Sequence, residues 1–149
     1  MIPPPAGPAA APGASPVRSS APGRPLLGCK VLLVEDEYLI ACDTASLLRE
    51  AGADVVGPVG GLAQARELAA RETCLDGAVL DVQLGDGPVC PLVPELAARG
   101  VPVLLATGYE RELLPPALAG LPHLAKPFGR ELGRVAAEAF GRGRATNPV

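Results

Sequence analysis

Val31-Leu-Leu-Val-Glu-Asp-Glu37 is the most informative segment for the fold, because four apolar residues are followed directly by three acidic ones. A short, continuous apolar run is typical of a β-strand covered on both faces, as in a parallel sheet with helices on either side. In such a sheet, ligands bind outside the carboxyl ends of the strands. The stretch therefore predicts a central strand with an acidic site at its end.

Four further strand-like runs follow, separated by helical patterns. The other strands are predicted at 55–56, 78–80, 101–106 and 123–125. Apolar residues recur at helical spacing within 38–51, 62–69, 89–97 and 132–139. This alternation predicts an α/β fold with a parallel five-stranded sheet and helices on both faces.

Prolines identify the two helical segments that we expect to be least regular. Proline is tolerated only in the first turn of a helix, so the third helix should begin near Pro91, and Pro94 could still distort it. Pro115-Pro116 falls inside the fourth helical segment. That segment is predicted to be short, broken or labile.

The chain of 149 residues, 48% of them hydrophobic, has the length and composition of one domain. Eight of the first 25 residues are proline, and no apolar period accompanies them. Residues 1–27 are therefore predicted to be a disordered Pro/Ala/Gly-rich tail, 28–141 the domain, and 142–149 a flexible C-terminal tail. The first tail is either a functional tether or the product of a start codon assigned too far upstream.

Charge and hydropathy argue against several classes of partner. The net charge is −3 and no basic stripe is present, so nucleic-acid binding is not expected. No apolar run reaches the roughly 18 residues that span a bilayer, and no secretory signal begins the chain. The cysteines form no CxxC pair and are predicted to be small, partly buried hydrophobes in a reducing cytoplasm: Cys29, Cys42, Cys74 and Cys90.

Polar side chains of four kinds stand at the ends of four predicted strands. Glu35 and Asp36 follow the first, Asp81 the third, Thr107 the fourth and Lys126 the fifth. Because the carboxyl ends of parallel strands lie at one edge of the sheet, these groups are expected to converge there. Each is uninformative alone, but their joint occurrence in this order indicates a functional site.

The residue types suit phosphoryl transfer. Carboxylates without histidine or thiolate form an oxygen-only site that favours Mg²⁺ or Mn²⁺. A carboxylate can also act as a nucleophile and form an aspartyl phosphate, for which Asp81 is the candidate. The Lys126 ammonium and the Thr107 hydroxyl would then stabilise charge on the phosphoryl oxygens.

Four segments of the chain resemble the signatures of response-regulator receiver domains. They are Val31-Leu-Leu-Val-Glu-Asp-Glu37, Leu80-Asp-Val-Gln-Leu-Gly85, Ala106-Thr-Gly-Tyr109 and Ala125-Lys-Pro-Phe128. The resemblance implies a flavodoxin-like, CheY-like sheet of strand order 2-1-3-4-5. It also implies a metal site of Glu35, Asp36, Asp81 and the Gln83 backbone carbonyl, with Asp81 as phosphoacceptor and Thr107 and Lys126 on the phosphoryl oxygens. A cis Lys126–Pro127 bond is common in the family.

The stretch Val103-Leu-Leu-Ala-Thr-Gly-Tyr109 further resembles a subfamily of stand-alone receivers with a Phe-Ala-Thr-Gly-Tyr motif, although Leu105 replaces the Phe. That subfamily is often paired with HWE or HisKA2 histidine kinases. The implied partners are a sensor histidine kinase or a histidine phosphotransfer protein, and an unknown downstream protein. Because too little sequence follows Phe140 for an output domain, the expected output is protein contact or a phosphate sink.

Three positions are expected to tune the switch. His123 stands where many receivers have a rotating Tyr or Phe, so switching is predicted to use Tyr109 and the proline-containing segment instead. Gln83 and Tyr109 flank the site at the positions that vary most among receivers. We predict that Gln83 places the water that attacks the acyl phosphate and that Tyr109 restricts access.

Three alternatives remain. A haloacid-dehalogenase-like phosphatase shares the aspartate, threonine and lysine but needs a second Asp where this chain has Gln83. A pseudo-receiver would bind partners without phosphate chemistry, but such domains usually lose the aspartate or lysine that are kept here. The chain could also be a receiver cut from a longer protein.

Overall fold

The structure, a computed structural model, describes residues 23–108 and 113–145, and for 142–145 the backbone only. The strands in this part are β1 (Lys30–Val34), β2 (Asp54–Val59), β3 (Gly77–Leu80), β4 (Gln83–Leu84), β5 (Gly87–Pro88), β6 (Val103–Thr107) and β7 (His123–Ala125). The helices are α1 (Tyr38–Glu50), α2 (Leu62–Arg71), α3 (Leu92–Ala98) and α4 (Glu131–Ala145).

Five of the strands form a parallel sheet in the order β2-β1-β3-β6-β7. Counting only the strands of this sheet, the order is 2-1-3-4-5, as predicted. The chain runs from β1 outward to β2 and then returns to the other side of β1 as β3. The direction of winding therefore reverses between β1 and β3, which is where ligands bind in open sheets of this kind.

Successive residues of β1 pack into two different cores, which explains its continuous apolar sequence. Leu32 and Val34 belong to one hydrophobic cluster, whereas Val31 and Leu33 belong to the other. Helix α1 packs against α4 on one face of the sheet, and α2 packs against α3 on the opposite face. All four of these side chains are at most 1% exposed, so the strand has no solvent-facing side.

Local sequence signals correctly located several element ends. The last turn of α1 is closed by Gly52, which has φ of +103° and donates its N–H to the Arg49 carbonyl at 2.9 Å. Helix α3 begins directly after Pro91, as predicted. Pro94 lies in the first turn, where its missing N–H leaves no helical hydrogen bond unmade.

The described part of the segment between β6 and β7, residues 113–121, contains turns and no α-helix. Leu118 and Leu121 donate their N–H groups to the carbonyls three residues earlier, at 2.9 and 3.1 Å. The predicted break is confirmed in this part of the segment. Its physical reason is that Pro115 and Pro116 supply no N–H groups for a regular helix. The segment is nevertheless attached to the core, since Leu114 and Leu118 are buried.

The ends of the packed domain differ from the predicted boundaries at 28 and 141. Leu26 is fully buried and donates its N–H to the Ala51 carbonyl at 2.7 Å, although it lies in the stretch predicted to be disordered. Its side chain belongs to the hydrophobic cluster that also contains Leu48 and Ala51. Amino-acid composition does not predict the burial of one residue in a proline-rich stretch. Helix α4 continues to Ala145, into the predicted C-terminal tail. The rest of the predicted tails, 1–22 and 146–149, lies outside the described residues.

Two strand features were not predicted. Strand β2 extends to Val59 rather than ending at Val56, because an edge strand tolerates Pro58 where the register with β1 shifts. The Gly57–Pro58 bond is cis, and so is Lys126–Pro127, as the resemblance implied. After β3, the short antiparallel strands β4 and β5 form a hairpin.

Candidate metal and phosphoryl site

The strand ends bring the predicted site residues to one edge of the sheet. Glu35 and Asp36 follow β1, Asp81 follows β3, Thr107 is the last residue of β6, and Lys126 follows β7. The backbone also links neighbouring strands here, since the Lys126 N–H donates to the Thr107 carbonyl at 2.9 Å. The predicted convergence of these residues follows from parallel strands that end together.

Lys126 connects the acidic residues of two strands. Its Nζ donates to Glu35 Oε1 at 2.6 Å and lies 3.4 Å from Asp81 Oδ2. The Glu35 side chain is only 3% exposed, and the side chains of Asp81 and Lys126 are 13% and 16% exposed. The second Glu35 oxygen accepts the Glu37 N–H at 3.1 Å, and Asp81 Oδ1 accepts the Val82 N–H at 2.8 Å.

Burial and ion pairing act in opposite directions on the pKa values of this pair. Burial raises the pKa of Glu35 above 4.5 and outweighs the hydrogen bond from Lys126, which favours the carboxylate. For Lys126, burial alone would lower the pKa below 10.5. The hydrogen bond to Glu35 and the attraction of Asp81 and Glu35 together outweigh that effect, so the pKa of Lys126 is raised. The lysine is therefore held in its charged form at neutral pH.

The acidic residues fit a divalent cation. One carboxylate oxygen from each of Glu35, Asp36 and Asp81 can be chosen so that all three lie within 4.8 Å of one another. Two of these three carboxylates pair with Lys126, so the group of four carries two negative charges in excess when all are ionised, the amount that a divalent ion would neutralise. The donors are all oxygen, which suits Mg²⁺ or Mn²⁺ rather than a thiophilic metal. Asp36 is exposed, so the site is open to solvent on that side.

The remaining predicted residues occupy different parts of the site. Thr107 is fully buried at the end of β6, and Gln83 is exposed at the start of β4, two residues after Asp81. Tyr109 lies outside the described residues. His123, the first residue of β7, is partly buried, and its Nδ1 has no hydrogen-bond partner among the described residues.

Sequence reasoning missed Asp86, whose carboxylate binds the beginning of α2. Asp86 Oδ1 accepts the Leu62 N–H at 2.7 Å, and Oδ2 accepts the Ala63 N–H at 3.3 Å. The available signal was the Gly85-Asp86 pair, because a Gly-Asp pair between two short strands is typical of a two-residue hairpin turn. The contact with α2 had no local signal, because Asp86 lies 24 residues after Leu62.

An apolar surface borders the acidic site. Tyr38 and Leu39 are adjacent at the start of α1 and are 77% and 78% exposed, so they form a contiguous apolar surface. A groove beside them is lined by residues of α1 and of the loop after β7: Leu39, Ile40, Asp43, Thr44, Lys126, Pro127 and Phe128.

The cysteines form no disulfide, and Cys42 and Cys74 are exposed rather than partly buried as predicted.

Comparisons with known proteins agree with this architecture. No family model matches the sequence. The transcriptional regulatory protein PdtaR of Mycobacterium tuberculosis is 33% identical over 103 residues, which are 66% of this chain and 50% of PdtaR. The chain thus spans about half the length of the curated relatives it matches.

Two solved structures are similar both in sequence and in fold. The solution structure of SdrG from Sphingomonas melonis Fr1 has a TM-score of 0.66 and 33% identity, over 75% of this chain and 95% of SdrG. The response regulator PhyR from Brucella abortus has a TM-score of 0.67 and 27% identity, over 78% of this chain and 49% of PhyR.

Fold and site together define a doubly wound α/β domain with three carboxylates, a threonine and a lysine at the carboxyl edge of its sheet. Because the chain is also similar in sequence to SdrG, PhyR and PdtaR, it belongs to the family of response regulator receiver domains of two-component signalling. In the described part of the chain, no helix combines the length and the apolar character needed to cross a membrane.

Proposed function

We propose that this receiver domain accepts a phosphoryl group on Asp81 from the phosphohistidine of a sensor histidine kinase or a histidine phosphotransfer protein. The observation that carries the proposal is the grouping of the Asp81 carboxylate with Lys126 and two further carboxylates at one strand edge. Asp81 is 13% exposed, so a phosphorylated partner can reach it from the edge of the sheet.

The residues have separate parts in the transfer. An Asp81 oxygen attacks phosphorus, a new O–P bond forms, and the P–N bond to the donor imidazole breaks, with its electron pair returning to nitrogen. Lys126 and the Thr107 hydroxyl stabilise the negative charge on the phosphoryl oxygens. A bound Mg²⁺ or Mn²⁺, held by Glu35, Asp36, Asp81 and the Gln83 carbonyl, would supply further charge neutralisation. The domain in this proposal is a switch that catalyses its own phosphorylation and dephosphorylation, not an enzyme acting on another substrate.

The surface beside the site supports docking of a helical donor protein. Exposed Tyr38 and Leu39 and the groove next to Lys126 offer apolar area within reach of the phosphoacceptor edge.

The resemblance of Val103–Tyr109 to the Phe-Ala-Thr-Gly-Tyr motif favours HWE or HisKA2 kinases as donors. Four free cysteines suit a cytoplasmic setting. The phosphorylated domain would either bind a downstream protein or act as a phosphate sink that takes phosphoryl groups from the donor.

Incubation with acetyl phosphate and Mg²⁺, followed by intact mass measurement, tests the central step. We expect one added phosphoryl group that depends on the divalent metal. If a small donor fails, purified phosphohistidine phosphotransfer protein replaces it. Failure with both donors would contradict the proposal and favour a pseudo-receiver that acts without phosphate.

Gln83→Ala is expected to slow loss of the phosphoryl group by about 3- to 10-fold, a modest part of the range that positioning groups contribute. Gln83 is exposed beside Asp81, so its amide can orient the attacking water, while its backbone carbonyl is unchanged by the substitution. The decay of the mass adduct after removal of acetyl phosphate gives the rate. Gln64→Ala on the exposed face of α2 is the control. An unchanged decay rate in Gln83→Ala would contradict this role.

The segment 113–121 is expected to change its amide exchange when a phosphoryl mimic binds Asp81. Its backbone is held by a few turn hydrogen bonds rather than a helix, and such segments open at low free-energy cost. Hydrogen exchange with and without beryllofluoride should show altered protection there and little change in α2. Unchanged protection in 113–121 would mean that switching uses another element.

A further inference from the structure

The β4–β5 hairpin forms one wall of the candidate site, and its base is fixed by the core. It begins two residues after Asp81 and includes Gln83, whose backbone carbonyl is a proposed metal ligand. Val82, Leu84 and Val89 are buried, and the Val89 N–H donates to the Val82 carbonyl at 2.9 Å. The two ends of the hairpin are therefore packed and hydrogen-bonded.

The tip of the hairpin has a different attachment, to the first turn of α2. The Asp86 carboxylate accepts the N–H groups of Leu62 and Ala63 at 2.7 and 3.3 Å. These are helix N-terminal N–H groups, which have no partner inside the helix. The hydrogen bonds from Leu62 and Ala63 lower the pKa of Asp86 below its usual 3.8, so the carboxylate is ionised at neutral pH and interacts favourably with the helix N-terminus.

The loop directly before α2 lies close to the acidic site. A Cβ placed on Gly60 would lie 3.2 Å from the Asp36 Cα, and one placed on Gly61 would lie 3.2 Å from Asp86 Oδ2. On the hairpin side, a Cβ placed on Gly85 would lie 3.8 Å from Asp36 Oδ2. The loop before α2 and the hairpin thus both lie close to Asp36, and Asp86 joins them.

We propose that Asp86 is a positioning residue that ties the hairpin to the start of α2. It thereby limits the positions open to the Gln83 carbonyl, and so sets the affinity of the site for a divalent cation. This inference rests on the proposed function. Asp86 makes no contact with the cation in this proposal. Its effect comes from limiting the conformations of an exposed hairpin before the ion binds, so that less ordering is needed on binding.

Magnesium titration of the full chain by calorimetry tests the inference. Asp86→Ala should bind Mg²⁺ about 10-fold more weakly than the wild type, the lower end of the effect of removing a residue that orients metal ligands. Asp86→Asn keeps one acceptor oxygen and should have an intermediate affinity. Asp76→Ala is the matched control, because Asp76 also accepts a backbone N–H, that of Lys30 at 2.8 Å, but at the opposite end of the sheet. It should bind Mg²⁺ as the wild type does.

Amide exchange of Leu62 and Ala63 in metal-free buffer supplies a second measurement. Faster exchange of both in Asp86→Ala, together with weaker Mg²⁺ binding, would support the proposal. Faster exchange with unchanged Mg²⁺ affinity would overturn it, as would unchanged exchange. If Asp86→Ala does not fold, the comparison of Asp86→Asn with the wild type decides in the same way. A wild type that binds Mg²⁺ but accepts no phosphoryl group would refute the proposed function while leaving this comparison intact.

Discussion

Asp81→Asn is expected to abolish phosphorylation completely while leaving the domain folded. The amide has nearly the same shape as the carboxylate, and its oxygen can still accept the Val82 N–H that Asp81 Oδ1 accepts at 2.8 Å. It is not a nucleophile towards phosphorus at neutral pH, so no acyl phosphate can form. Intact mass after incubation with acetyl phosphate and Mg²⁺ should show the adduct in the wild type and none in the variant.

The same substitution should not lower stability in metal-free buffer. Three carboxylates lie close together here and only one lysine pairs with them, so removing one charge reduces their mutual repulsion. Thermal unfolding therefore separates loss of the nucleophile from loss of the fold. Asp76→Asn, at the other end of the sheet, is the control and should be phosphorylated normally. An adduct of undiminished yield in Asp81→Asn would show that another residue is the acceptor.

Lys126→Met is expected to have the second-largest effect, on both phosphorylation and stability. Methionine is of similar length but carries no charge, so it leaves the buried Glu35 carboxylate facing Asp81 without a cation. The free energy of unfolding without metal should fall by about 1–3 kcal/mol, the cost of a buried polar group that loses its partner. Phosphoryl uptake should slow by about 100-fold or more, as when one donor to a transition-state oxyanion is removed.

Lys30→Met is a matched control for this substitution. Lys30 also pairs with a glutamate, Glu72, at 3.2 Å, but the two side chains are 35% and 31% exposed. A partly exposed ion pair is screened by solvent and contributes little to stability, so this variant should be nearly as stable as the wild type and should be phosphorylated at the same rate.

Urea unfolding and time courses of the mass adduct measure the two effects of Lys126→Met. Added Mg²⁺ should narrow the stability gap between Lys126→Met and the wild type, because a bound cation replaces part of the missing positive charge. Phosphorylation of Lys126→Met at the wild-type rate would show that Lys126 takes no part in the transfer. A stability loss no larger than that of Lys30→Met would show that burial of Glu35 carries little cost.

Much of the fold could be predicted because its signals are local. The continuous apolar run at Val31–Val34 indicated a strand covered on both faces, and each of its side chains is buried. Gly52 and Pro91 marked a helix end and a helix beginning correctly. The strand order and the receiver family were also correctly predicted, the latter from four short segments and not from composition.

The predictions that failed concern residues whose neighbours are distant along the chain. Leu26 looked like part of a proline-rich tail, yet it is fully buried and hydrogen-bonded to Ala51. The strand predicted at 55–56 is shorter than the observed β2. The strand continues through Pro58 because it lies at an edge of the sheet, where a missing N–H is tolerated. Neither burial nor edge position is encoded within a short window of sequence.

The set of groups that could act was predictable from the sequence, because parallel strands place their carboxyl ends at one edge of the sheet. The sequence therefore predicted that the following residues lie together at that edge: Glu35, Asp36, Asp81, Thr107 and Lys126. The tertiary structure decided how they pair: Lys126 hydrogen-bonds to Glu35 at 2.6 Å and lies farther from Asp81. It also decided that Asp86 joins the β4–β5 hairpin to α2. Both contacts depend on strand twist and loop path, since the partners lie 91 and 24 residues apart and no local pattern reports such distances.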